Sequence, residues 1–162
     1  MKKSGSQPEL KKRMSNTNYF EYGEKEKQWL RSRDPVLSAA MDEIGHVHRE
    51  VQPDLFKALI NSIVGQQIST KAHVTIWNRI QEQFSPISPE NFKNLCAEEI
   101  QTCGISMRKA LYIKSIADAV RDGELDLALL PGMTDAEISA RLVQLKGIGL
   151  WTAEMLMIFS MQ

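Results

Sequence analysis

From Asp34 onward, apolar residues recur at helical spacing, and start and stop signals separate one run from the next. "RDPVLSAAMDEIG" offers Asp34 as N-cap, Pro35 at the first helical position and Gly45 as the stop. "PDLFKALINSIVGQQ" puts Phe56, Ile60, Ile63 and Gln67 on one stripe, with Leu59 and Val64 beside it. "STKAHVTIWNRIQEQF" aligns Trp77, Ile80 and Phe84, and "SMRKALYIKSIADAVRDG" aligns Ile113, Ile116, Ala117 and Val120 before Gly123. "TDAEISARLVQLKG" opens with a capping box, Thr134 to Glu137, and aligns Ile138, Leu142 and Leu145. The one period-two stretch, "LDLALL", is too short and too close to Pro131 to found a sheet. The pattern predicts an all-α protein of many short helices joined by short loops.

A chain of 162 residues, 43% hydrophobic and 25% charged, can bury a core of its own. Its formal net charge is zero, so no global basic field points to nucleic acid, and any such contact must be local. No apolar run approaches the ~20 residues of a membrane span. Residues 1–16 are polar and rich in Gly, Ser, Pro and Lys, and read as a disordered tail with no secretory signal. Cys96 and Cys103 form no CxxC and suit a reducing, cytoplasmic setting. His46, His48 and His73 share no ligand spacing with them, so metal catalysis is not expected. A Walker loop and a dinucleotide fingerprint are both missing.

The most informative segment is "LVQLKGIGLWTAEMLMIFSMQ". Gly147 and Gly149 flank Ile148 between two helical runs. Glycines at this spacing permit positive φ and close approach of a bulky partner. A helix that begins directly behind them turns its free N–H groups toward that partner, and phosphate is the usual one. A tight turn between packed helices would look the same.

The surrounding residues separate the two readings. "LKGIGLWTAEML" resembles the hairpin of the helix-hairpin-helix (HhH-GPD) DNA glycosylases, and in particular their DNA-3-methyladenine glycosylase II branch. Two further blocks, in the right order, are similar to the same superfamily: "LFKALINSIVGQQISTKAHVTIWNRI" and "GISMRKALYIKSIADAV". The resemblance implies the helix-hairpin-helix glycosylase fold, with residues 17–50 as N-terminal helices of a first lobe and 51–162 as the glycosylase domain. It also implies a monofunctional base-excision repair enzyme. Such an enzyme flips an alkylated purine such as 3-methyladenine out of duplex DNA and hydrolyses its N-glycosidic bond.

Roles follow position by position. The backbone amides of Gly147 and Gly149 would hold a DNA phosphate. The carbonyls of Val143, Leu145 and Ile148 would hold a monovalent cation, sodium or potassium, and no other cofactor is implied. Strand-cutting relatives carry a lysine nucleophile where this chain has Trp151. An indole forms no Schiff base; it either stacks on a flipped, electron-poor purine or belongs to the apolar core around its helix. Gln67 would fill the gap left by the flipped base and Gln66 would line the pocket. Left as a plain helix end, the two glutamines would merely face solvent. Tyr19, Phe20 and Tyr22 either reach the pocket or anchor the first helices, and Arg108 and Lys109 are assigned to solvation or packing.

In the superfamily, one aspartate beyond the helix after the hairpin stabilises the cationic sugar. By position it falls after Gln162, so no catalytic residue is expected in this chain, and an inert DNA-binding module is the competing reading. "MLMIFSMQ" carries no stop signal either. It leads us to expect a shortened chain, incomplete at its C-terminus, whose apolar last helix is exposed and self-associates through Met155, Ile158, Phe159 and Met161.

Overall fold

The structure, a computed structural model, describes residues 19–161. The expected tail at 1–16 lies outside them. Among the described residues, nine α-helices follow in order: α1 (Glu24–Arg31), α2 (Pro35–Ile44), α3 (Leu55–Gly65), α4 (Thr70–Phe84), α5 (Pro89–Phe92), α6 (Ala97–Gln101), α7 (Met107–Arg121), α8 (Asp135–Leu142) and α9 (Leu150–Leu156), the last running on into a π-helical turn, Met157–Met161. The described residues contain no strand, only a single antiparallel bridge between Tyr19 and Glu50. "LDLALL" ends in the 3₁₀ turn Leu130–Gly132.

Local chemistry sets most helix starts. Asp34 Oδ1 accepts from the N–H groups of Val36 and Leu37 at 2.8 and 3.0 Å. Ser69 and Ser106 cap α4 and α7 through the N–H groups of Ala72 and Lys109. At α8 the predicted box is present: Thr134 Oγ1 accepts from Glu137 N–H, and Glu137 Oε2 accepts from Thr134 N–H. Each such cap stabilises by ~1 kcal/mol.

The hub of the fold is α3, which packs on α4, α7, α9 and the π turn. Its Leu59, Ile60, Ile63 and Val64 are fully buried, and they meet Ile113 and Ile116 of α7, Ile148 of the hairpin and Ala153 of α9 in one core. Full burial of each Leu or Ile contributes ~1.5–3 kcal/mol. An aromatic cluster closes the far end, where Phe92 stands edge-on to both Phe56 and Phe84 at 6.0 and 5.7 Å.

Two expectations need correction. The stripe of α3 does not run to Gln67. The helix stops at Gly65, Gln66 is extended (ψ 132°), and Gln67 is exposed with φ of +55°. Nor is the last turn bare. Met161 is buried, and the Phe159 ring meets Phe20 at 6.2 Å and lies under the Arg49 guanidinium at 5.0 Å. The Phe159 carbonyl accepts from Gln52 N–H at 2.9 Å. Residues 49–52 thus run between the Tyr19–Phe20 segment and the π turn, and they cover what the sequence left open. Of the four residues expected to mediate self-association, only Ile158 is exposed.

Candidate nucleic-acid interface

Three segments far apart in sequence meet at the end of α3. Gln66 Nε2 donates to the Gly147 carbonyl at 2.7 Å, across 81 residues. Lys109, in the first turn of α7, donates its ammonium to the carbonyls of Val64 at 2.9 Å and Gln66 at 2.5 Å. Those carbonyls lie at the C-terminal end of α3, where the helix leaves its acceptors unpaired and carries partial negative charge. Burial pushes the Lys109 pKa below its ordinary value. Sequence reasoning gave this lysine to solvation or packing, and nothing local in "SMRKAL" signals a partner 43 residues away.

The turn that Lys109 grips presents Gln67. Among the described residues Gln67 is the one non-glycine with positive φ, a conformation that costs on the order of 1–3 kcal/mol and needs its surroundings to hold it.

The hairpin, residues 143–149, joins α8 to α9. Only one of its glycines requires positive φ. Gly147 has φ of +89°, and a Cβ there would lie 2.4 Å from Tyr112 Cδ2 and 2.9 Å from Ile63 Cδ1. Gly149 is extended (φ −90°, ψ 171°), with open space where its Cβ would be. Ile148 is buried and pins the turn into the core. Among the described residues, the N–H groups of Gly147 and Gly149 meet no acceptor, although Ile148 N–H between them donates to the Leu145 carbonyl at 3.0 Å. Two amides, one on exposed Gly149 and one on half-buried Gly147, are left without an acceptor among the described residues. The carbonyls of Val143 and Ile148 likewise accept nothing among the described residues, and that of Leu145 keeps one lone pair free. These are the three carbonyls that the resemblance assigns to a monovalent cation.

Next to the hairpin lies a cavity of about 520 Å³. Trp151, Thr152 and Met155 of α9 line one side, with Phe159 and Ser160 of the π turn. Asn61, Ser62, Gly65 and Gln66 line the other with His73, and residues 49–52 add a further wall. Trp151 is 71% exposed, so it is not a core residue. His73 Nε2 pairs with Asn61 Oδ1 at 2.7 Å, and its ring lies 3.2 Å from where a Cβ on residue 65 would be; glycine makes room for it. Gln66 lines the cavity, and its amide nitrogen is committed to the hairpin. None of the three N-terminal aromatics lines the cavity. Tyr22 stacks on His46 at 4.5 Å and exchanges hydrogen bonds with the backbone of Val47, anchoring the first helices. Phe20 meets the ring of Phe159, a cavity-lining residue, edge-on. The walls from 49–52, His73 and Asn61 had no signal in the sequence, because the folded path of the chain brings them together.

Residues 60–156 match the HhH-GPD superfamily of base excision DNA repair proteins, and the chain belongs to that superfamily. It is 38% identical over 117 residues to DNA-3-methyladenine glycosylase 1 of Schizosaccharomyces pombe, an alignment covering 65% of this chain and 48% of that protein. It is 34% identical over 116 residues to the DNA-3-methyladenine glycosylase of Saccharomyces cerevisiae, covering 65% and 39%. The chain thus spans about half the length, or less, of these curated relatives. The fold is similar to that of a DNA-3-methyladenine glycosidase from Bacillus halodurans (TM-score 0.74, 33% identity, 90% of this chain and 68% of that one). It is also similar to the S. pombe 3-methyladenine DNA glycosylase in complex with abasic DNA (TM-score 0.75, 30% identity, 85% and 70%).

Proposed function

We propose that this chain binds damaged duplex DNA and receives a flipped alkylated purine, as the recognition part of a monofunctional 3-methyladenine-type glycosylase. The observation that carries the reading is the pair of unengaged amides at Gly147 and Gly149, set beside a cavity that Trp151 and Gln66 line. The amides hold a backbone phosphate and fix register without reading sequence. The Val143, Leu145 and Ile148 carbonyls hold the cation that balances the phosphate charge. Gln67 fills the vacated stack, and Trp151 stacks on the base, whose positive charge favours an aromatic face.

Hydrolysis needs a carboxylate against the cationic sugar. The cavity's lining carboxylate, Glu50, belongs to an exposed segment bridged to Tyr19. We assign the catalytic role to the superfamily's aspartate beyond position 162. The test is release of free 3-methyladenine from methylated duplex. Met1–Gln162 should release no more than a heat-killed control, and a chain continued through the aspartate loop should release it readily. Release by Met1–Gln162 that Glu50→Gln abolishes would move the catalytic role to Glu50. We propose a cytoplasmic compartment, which the two free cysteines, Cys96 and Cys103, suit. No described helix is long and apolar enough to cross a membrane.

A further inference from the structure

We infer that Lys109 is a positioning residue that ties the presentation of Gln67 to the hairpin, so that a DNA phosphate on Gly149 and the wedge at Gln67 share one register. The inference rests on the DNA-binding reading above.

Four observations carry it. Gln67 holds a left-handed conformation that a glutamine does not adopt by itself, and its side chain is exposed. The residue before it is fixed twice: its carbonyl accepts from the Lys109 ammonium and its side-chain amide donates to the Gly147 carbonyl. Lys109 also holds the Val64 carbonyl, so its ammonium spans the last residues of α3 and the first of the turn. Gly147 in turn is wedged against Tyr112 of α7 and Ile63 of α3, so the hairpin cannot slide on its own. The chain of contacts Lys109, Gln66, Gly147 therefore closes a triangle between α7, the turn and the hairpin. Lys109 donates to the carbonyls of Val64 and Gln66, and its part is to set the turn.

A phosphate contact and a wedge answer to different DNA. Phosphates are present on any duplex, whereas a wedge gains only where a base can leave the stack. Loosening the turn should therefore cost discrimination and spare general affinity. The experiment measures binding of Met1–Gln162 to two duplexes, one intact and one with a single tetrahydrofuran abasic analogue. A 2-aminopurine beside the analogue reports unstacking. Lys109→Met should lower the preference for the analogue about tenfold and reduce the 2-aminopurine signal, with intact-duplex affinity changed less than about twofold; Lys109→Arg should restore part of the preference. Lys109→Gln, whose shorter neutral amide cannot span both the Val64 and Gln66 carbonyls, should show a selective loss of the same kind, and it decides the matter should Lys109→Met not fold. Equal losses on both duplexes, or full preference kept in both variants, would overturn the inference. If the unaltered chain binds neither duplex, the DNA-binding reading itself falls, and this inference with it.

Discussion

Gly147 lies so close to the ring of Tyr112 that a β-carbon there would stand 2.4 Å from Cδ2. No L side chain fits that space, and φ of +89° disfavours one independently. Gly147→Ala should therefore destabilise the fold by about 2–4 kcal/mol, from overpacking and backbone strain together. Gly149, extended and facing open space, should accept alanine within ~0.5 kcal/mol. Urea melts of the two variants test the contrast. Equal losses would mean that the hairpin relaxes as a unit.

Gly149→Asp places a carboxylate where a phosphate is expected, on a backbone that aspartate adopts without strain. It should melt like the parent yet bind duplex at least tenfold more weakly at low salt, with Gly149→Ala near the parent. The measurement is fluorescence anisotropy on a labelled duplex across a salt series, because phosphate-driven affinity falls steeply with salt. Unchanged binding in the aspartate variant removes the hairpin from the interface.

Trp151 is exposed and lines the cavity, so its truncation separates binding from folding. Trp151→Ala should leave stability within ~0.5 kcal/mol. It should weaken capture of free 3-methyladenine by about 2–30-fold, the range that ~0.5–2 kcal/mol of stacking implies. Isothermal titration reads both variant and parent directly. Equal affinities would show that the base rests elsewhere in the cavity.

The hydrogen bond from Thr134 N–H holds the Glu137 carboxyl below the ordinary carboxylate range, with a further contribution from the Thr134 side chain. A depressed folded value means that the contribution is fully present above the unfolded carboxylate pKa and is lost as pH falls through the folded one. The stability gap between parent and Glu137→Gln should thus be constant near neutrality and close in acid. A gap that widens on acidification would contradict the capping role.

Helix starts were legible because their causes are local. Asp34 and Thr134 each reach an N–H two or three residues on, and that spacing is visible in the sequence. The end of α3 was not, because Lys109 arrives from 43 residues away to hold the Gln66 carbonyl. The pattern "GIG" is symmetric on paper. Only the ring of Tyr112 shows that the first glycine is demanded by the fold, while the second leaves space for something outside it. The candidate site came from resemblance at Gln66, Gln67, Trp151 and the hairpin. Its remaining walls, Asn61, His73 and residues 49–52, carry no pattern, since they become neighbours only when the chain has turned back on itself.

On the proposed reading, the wedge at Gln67 has its backbone set before contact, which changes how a search along DNA would run. The turn bearing Gln67 has its left-handed backbone before any duplex arrives, and Lys109 and Gln66 keep it there. On that reading no loop would have to rearrange at each base pair; only side-chain rotation would remain, on the picosecond-to-nanosecond scale, against microseconds or longer for collective motions. Inspection time per step would then be set by how readily the DNA itself opens, and weakly stacked sites would be found first. Rapid mixing with a 2-aminopurine duplex should show a single phase whose rate rises linearly with protein at low concentration. A slow phase independent of concentration would reveal a protein rearrangement, and a wedge that forms only upon encounter.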